Sequence, residues 1–420
     1  MIIVRAPFRL PLGGGGTDLP SYYRRYGGSL ITAAINKYMY ISINEPAIID
    51  KIKVNYTRVE ILNVEEISKI KHEIVRETLK YLKIKKPIEI FSMADLSAGT
   101  GMGSSSAYTV GLLRGLNVML KRFISLQELA EEACKVEIEL IGKPIGKQDQ
   151  YATTFGGIVQ LEIDKNGNVT VSPLSLDHEI ICELENRLMM FYTNIERDAN
   201  LILGEQSRKI EEGNGKAAME DGKLVRRSLK DEDGCKMPAC RQGREDVSED
   251  MNDETIEVSK PEERTLKTVG SKQYAPSSEV EVKESEVRNQ RSEITNQKSE
   301  ENSHSAVEAM HRIKQIGYES KEMLIKGDIC GFGKLLNEHW RTKKSVSNKM
   351  SNRKIDEWYE LAMKNGALGG KVMGAGGGGF LLFCAEIGKR KYLRKTLEDA
   401  GMRYMDFKFD WEGVKTLVNI

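Results

Sequence analysis

Five short stretches of the chain carry residues whose types and spacing could do chemistry. Gly99, Gly101 and Gly103 stand at alternate positions and run directly into Ser104, Ser105 and Ser106, where an apolar-periodic helix begins. A helix start presents unpaired N–H groups and the positive end of its dipole, and glycine lets backbone approach a bound group closely. That combination favours holding an anion, most naturally a phosphate; a flexible loop with an ordinary serine cap is the plainer alternative. Near the start, Gly13 to Gly16 are followed by Thr17 and flanked by the charged Arg9 and Asp18. Four glycines permit left-handed backbone and close approach, and a charge at each end favours a ligand site over a loose loop.

Two carboxylates follow. On a 3.6-residue wheel, Leu126, Ala130, Ala133, Cys134, Leu140 and Ile141 share one face of a helix, and Glu137 falls in the middle of it. A buried carboxylate is costly unless a cation or hydrogen bonds compensate it, so Glu137 is either half of a core salt bridge or, the preferred reading, a magnesium ligand. Gly142, Pro144 and Gly146 then end the helix and present Asp149 from a loop, where it can converge with Glu137 on one cleft. The fifth stretch, Gly366 to Gly379, is dense in glycine before an apolar strand, and tight packing and a ligand role stand equally open for it. No lysine follows Gly103, which excludes a Walker loop. Ser106 stands where a dinucleotide fingerprint needs glycine.

The elements that must position these residues are readable in outline. A strand over Pro87 to Met93 precedes the glycine–serine loop, and a short strand Ile2 to Val4 opens the chain. Strands over Gly28 to Ile43 and Lys51 to Tyr56 precede a helix from about Glu66 to Lys83. Ser125 and Glu128 form a capping box. After the strand Ile158 to Ile163, the hairpin turn Asp164 to Asn168 closes a first domain assigned to residues 1–183. A second domain, 184–420, begins with the strand Arg187 to Thr193 and a helix from about Asp198. Residues 213–303 are rich in Glu, Lys, Ser, Asn and Arg and poor in apolar runs, so a disordered insert is expected there. Cys235 and Cys240 within it match no common metal spacing. Helices over Val307 to Ile325, Gly331 to Lys343 and Lys354 to Asn365 follow, and a β-α-β ending fits an α+β sandwich.

Composition sets the bounds. The chain has 420 residues, 40% hydrophobic and 30% charged, enough for two ordinary domains. A formal charge of +1 with no basic half gives nucleic acid or an anionic membrane nothing to hold. No window approaches the roughly 20 apolar residues of a membrane span, and Arg5, Pro7 and Arg9 interrupt any signal-peptide core. Six scattered cysteines and five distant histidines argue against zinc and an oxidising compartment, so a cytoplasmic location is expected.

Three signals occur in order: R-A-P-F-R with G-T-D from Arg5 to Asp18, G-M-G-S-S-S-A from Gly101 to Ala107, and G-A-G-G-G-G from Gly374 to Gly379. Together they resemble the GHMP kinase family. The resemblance covers residues 1 to about 210 and about 304 to 420, the family lacking the intervening segment. It implies an α+β fold in two parts, an N-terminal domain like ribosomal protein S5 domain 2 and a ferredoxin-like C-terminal domain, with the site in the cleft between them. By motif, Gly99, Gly101, Gly103, Ser104, Ser105 and Ser106 would wrap the ATP phosphates. Ser105 matches the family's Mg²⁺-binding serine and Glu137 its metal-binding glutamate. Asp149 matches the catalytic base and Arg9 the arginine that orients it. Asp18 matches a carboxylate on the substrate hydroxyls, with Gly15, Gly16, Thr17, Gly376 and Gly377 shaping the substrate side. Ser106 departs from the alanine of many relatives.

Within the family, the opening stretch through Tyr38 is most similar to members that phosphorylate D-glycero-D-manno-heptose 7-phosphate. The resemblance therefore implies transfer of the ATP γ-phosphate to an anomeric hydroxyl, with ATP and Mg²⁺ required and a homodimer compatible with it. A kinase for an unphosphorylated sugar such as fucose or galactose is the alternative, and a non-catalytic sugar or nucleotide sensor a minor one. The sugar's own phosphate needs a cation, for which Lys37, Arg24, Arg25 and Lys371 are candidates.

Overall fold

A computed structural model describes residues 1–195, 201–214 and 306–420. Strand β1 (Ile2–Gly13) carries an apolar side chain at every second position, and Val4, Phe8, Leu10 and Leu12 are fully buried. Proline cannot donate to a ladder, which is why a strand end is expected at Val4. The pairing instead shifts register between Pro7 and Phe8 and between Pro11 and Gly13, so bulges absorb both prolines and the strand continues through Arg9.

After α1 (Pro20–Tyr26), the 17-residue strand β2 (Gly28–Asn44) lies antiparallel to β1. The hairpin strands β3 (Ile52–Asn55) and β4 (Val59–Leu62) come next. The single helix expected over 66–83 is in fact a 3₁₀ stretch, Val64–Lys69, and α2 (Glu73–Tyr81), whose cap is the side chain of His72. Strand β5 (Ile88–Ala94) leads through the glycine loop into α3 (Ser104–Met119), and the Ser125–Glu128 capping box starts α4 (Leu126–Cys134). Then follow α5 (Gln148–Phe155), β6 (Ile158–Ile163), β7 (Val169–Pro173) and α6 (His178–Arg187). On its far side, β2 pairs with β6 through Gly28 to Ala33 and with β5 through Met39 to Asn44. One long strand thus holds both halves of the sheet. Leu112, Leu113 and Leu116 of α3 join the buried residues of β1 and β2 in one core.

The second sheet begins with β8 (Leu188–Tyr192). Helical residues 201–214 (α7) and 306–326 (α8) precede α9 (Ile329–Val346), α10 (Arg353–Lys364), β9 (Ala367–Val372), β10 (Phe380–Ala385), α11 (Arg390–Asp399) and β11 (Arg403–Met405). Its spatial order, β11-β8-β10-β9, is antiparallel throughout and gives the ferredoxin-like arrangement of four strands with helices on the sheet. The last strand, β12 (Lys415–Asn419), leaves this sheet and pairs with β1 at the edge of the first. A boundary at 184 therefore does not divide the two sheets cleanly, because residues 415–419 complete the N-terminal one. The expected disordered insert, with Cys235 and Cys240, lies outside the described residues, except that 213 and 214 end α7. No helix among the described residues is long and apolar enough to cross a membrane.

Candidate active site

Arg9 and Asp149 form its centre. From β1, the Arg9 guanidinium donates to both Asp149 carboxylate oxygens, at 2.6 Å from Nε and 2.8 Å from its terminal nitrogen. A second terminal nitrogen donates to the Gly101 carbonyl at 2.6 Å, and the Arg9 backbone N–H donates to Met102 at 3.2 Å. One arginine therefore fixes a carboxylate and the glycine loop together, in the two-pronged geometry that makes such pairs strong. Asp149 stands not on a loop but in the first turn of α5, where the helix dipole favours its charge. Gly103, at φ +78°, caps α3; a Cβ there would lie 3.1 Å from Asp149 Oδ2 and 3.2 Å from Arg9 Cγ. Glycine lets the loop close against the pair.

Glu137 is fully buried, as its place on the wheel implies. It lies in a π-helical turn, Lys135–Leu140, that continues α4. Its Oε2 accepts from Gln150 at 2.8 Å, and its Oε1 accepts from Lys143 Nζ at 3.0 Å and from the Ser105 hydroxyl. Lys143 also donates to Ser105. A core salt bridge is thus present, and a hydroxyl and a carboxylate oxygen meet within it. Gln150 adjoins Asp149 in α5, which brings the two carboxylates the sequence paired to one helix. Among the described residues no group of three His, Cys, Asp or Glu side chains assembles a metal centre. Ser106 is buried, and Ser104 is half-buried at the helix start.

On the other side of Asp149 a cleft opens. Arg9, Gly15, Gly16, Asp18, Gly146, Gln148 and Asp149 line it together with His339, Lys343, Lys371 and Gly374. Counting its open mouth, the space among these residues is about 590 Å³. Asp18 accepts from the N–H groups of Gly16 and Gln148, both at 3.0 Å, leaving lone pairs on each oxygen. Burial raises its pKa, against the backbone donors that lower it. Thr17 does not line the cleft: its hydroxyl braces the glycine turn, donating to Gly14 at 2.8 Å and Ser29 at 3.0 Å. Gly376 and Gly377 lie beside Met350 rather than on the wall, the Gly377 N–H donating to its carbonyl at 2.7 Å. Of the candidate phosphate cations, Lys371 is in the cleft, whereas Lys37, Arg24 and Arg25 are not among its lining.

His339 and Lys343 were missed by sequence reasoning, although they stand at i and i+4 on the helix expected at 331–343 and so share a face. A charged or polar pair on the buried side of that helix was the signal. Burial lowers the pKa of Lys371 well below the ordinary lysine range, with Lys343 and Arg9 pushing the same way. Burial also holds His339 neutral, aided by the two lysines.

A Cβ on Gly146 would lie 1.9 Å from Asp18 Oδ2. Gly146→Ala must displace Asp18, and if Asp18 holds the substrate, as the resemblance implies, a shift of about 1 Å can cost roughly 10²-fold. We expect that loss in kcat/KM for the sugar with KM for ATP unchanged; unaltered sugar kinetics in a folded variant would remove Asp18 from substrate binding.

Residues 69–157 match the N-terminal domain of the GHMP kinases, and residues 320–396 match their C-terminal domain. Over 425 aligned positions the chain is 28% identical to the D-glycero-alpha-D-manno-heptose 7-phosphate kinase of Campylobacter jejuni, covering 99% of this chain and 98% of the relative. A crystal structure of a Campylobacter jejuni putative sugar kinase superposes with a TM-score of 0.62 at 26% identity, over 99% of this chain and 97% of that one. A D-glycero-D-manno-heptose 1-phosphate kinase from Bacteriodes thetaiotaomicron shares the fold, with a TM-score of 0.64 at 22% identity over the whole of both chains.

Proposed function

Because the chain belongs to the GHMP kinase family and is a sugar kinase of the heptose kind with ATP as cosubstrate, we propose that it acts on D-glycero-D-manno-heptose 7-phosphate. In this reading the anomeric hydroxyl attacks the γ-phosphorus, the bond to the β-phosphate oxygen breaks, and ADP and heptose 1,7-bisphosphate are released. The observation that carries it is the Arg9–Asp149 pair, held where the glycine loop meets the cleft. Full-length similarity to a heptose 7-phosphate kinase supports the choice of sugar.

Asp149 takes the hydroxyl proton. An anomeric hydroxyl is more acidic than an ordinary alcohol, so a carboxylate suffices as base. Arg9 keeps that carboxylate aimed and offsets negative charge developing between it and the phosphates. The N–H groups at the start of α3 receive the phosphates of ATP, and Asp18 with Gly15 and Gly16 receives the sugar. Ser105 Oγ and Glu137 Oε1 are adjacent hard oxygen donors, which suits Mg²⁺, and these two residues would hold it in place of the Lys143 ammonium that bonds both. When bound, the ion supplies neutralisation of phosphate charge. Such a kinase works in the cytoplasm, where ATP is made and used.

The test is incubation with ATP, Mg²⁺ and either heptose 7-phosphate or unphosphorylated heptose, fucose and galactose. ADP and a bisphosphate should form from the first. Turnover of an unphosphorylated sugar alone would replace this substrate with the alternative.

A further inference from the structure

The cleft residues supplied by α9 and β9 combine features that a neutral sugar does not require. Lys371 on β9 is 3% exposed, and Lys343 on α9 is 9% exposed. Both line the cleft, and a buried lysine ammonium is costly unless an anion or several acceptors surround it. Lys371 makes its hydrogen bond to His339 Nδ1, at 3.2 Å, and has no carboxylate partner among the described residues. Asp18 and Asp149, the two carboxylates lining the cleft, already accept from backbone N–H groups and from Arg9. When Lys371 is protonated it can only donate, so the neutral ring then accepts at Nδ1 and carries its proton on Nε2. That atom is buried and has no partner among the described residues. The Gln148 side-chain nitrogen is a second buried donor without a partner on the same cleft. Lys343 donates to the Gly374 carbonyl at 2.7 Å, so the case for an outside multivalent acceptor rests on Lys371 and on the unfilled donors of His339 and Gln148 lining the same space.

We propose that Lys371, Lys343 and His339 form a subsite for the phosphate that the sugar substrate already carries. The inference rests on the sugar-phosphate kinase reading and adds where that phosphate sits. A phosphomonoester brings close to two negative charges and three acceptor oxygens, enough for both lysines and the His339 N–H. The nucleotide is served elsewhere: none of Gly99 to Ser106 lines this cleft, and Ser105 and Glu137 also lie outside it. Arg9 and Asp149 line the same cleft and Arg9 also bonds the glycine loop, so a sugar held here can present its hydroxyl to the base and its phosphate to the lysines.

The test compares heptose 7-phosphate with unphosphorylated heptose by calorimetry and steady-state kinetics, in the wild type, Lys371→Met and Lys343→Met. The wild type should bind the phosphorylated sugar at least about 100-fold more tightly, and each substitution should reduce that preference about tenfold or more. The loss should appear in KM for the sugar phosphate, with KM for ATP unchanged. Lys371→Met should also melt at or above the wild-type temperature, because it removes a buried cation that has no carboxylate partner. A lysine with a purely structural role would lower it. Inorganic phosphate should compete with heptose 7-phosphate and not with ATP in the wild type, a measurement independent of any variant's folding. A wild type indifferent to the sugar's phosphate would overturn the substrate reading itself. A preference that survives both substitutions would leave that reading intact and overturn the subsite. An equal fall in kcat on both sugars would assign Lys371 to the transferred phosphoryl group and overturn it too.

Discussion

Asp149→Asn is expected to lower kcat by about 10²–10⁴-fold, the usual range for loss of a general base, while ATP still binds. The amide is nearly the same size, so the cleft keeps its shape, but it cannot take a proton and it turns one N–H donor toward the Arg9 fork. Arg9 retains its bond to Gly101, which should hold the glycine loop for ATP. Stopped turnover with intact nucleotide binding is therefore the signature to seek, by kinetics and by titration of a nucleotide analogue. Wild-type turnover in a correctly folded variant would take Asp149 out of the proton transfer. A parallel loss of ATP affinity would make the pair a structural tie instead.

Glu137→Gln is the second large effect, and it separates two roles that coincide at one carboxylate. Glu137 pairs with Lys143, and breaking a buried pair from one side costs roughly 3–5 kcal/mol because the other charge is stranded. Lys143 is 16% exposed at its side chain, so part of that cost can be relieved by movement toward water. Lower thermal stability is thus expected whether or not the carboxylate meets a metal. The double variant Glu137→Gln with Lys143→Met decides the matter, since the two sites interact directly and their effects will not add. If Glu137 only neutralises Lys143, the double variant should recover both melting temperature and turnover. With Glu137 as a magnesium ligand, it should recover stability yet stay about 10²-fold or more impaired, with a higher Mg²⁺ requirement, the scale of lost charge stabilisation in phosphoryl and acyl transfer. Recovery of full activity would exclude the ligand role.

What could be read in the chain follows from the range of the interactions involved. The glycine–serine loop, the helix after it and the Ser125 cap are decided within a few residues, and each stands where its pattern placed it. Glu137 was legible because one wheel suffices to show a carboxylate facing a core. Arg9 on a continuous strand was not, because two prolines argue against a strand unless bulges in β2's pairing take them up, and that pairing, Pro7 with Tyr38 and Pro11 with Thr32, is set far along the chain. Asp149 looked like a loop residue because Gly142, Pro144 and Gly146 crowd the start of an eight-residue helix. Lys143 as the partner of Glu137 and His339 beside Lys371 are contacts of the folded cleft, and no local pattern announces them. Thr17 shows the converse: a hydroxyl beside the substrate glycines whose bonds are all spent on the turn itself.

The pairing of β12 with β1 has a consequence for how the molecule is made. During synthesis β1 leaves the ribosome long before β12, the strand that covers its outer edge. At about 5–20 residues per second, the roughly 400 residues between them take some 20–80 seconds, and through that interval Ile2 to Arg5 offer open backbone to any neighbouring chain. The nascent protein is therefore exposed to misassembly along β1 until β12 arrives. Chaperone occupancy on translating ribosomes should rise once β1 is exposed and fall away only when β12 pairs with it.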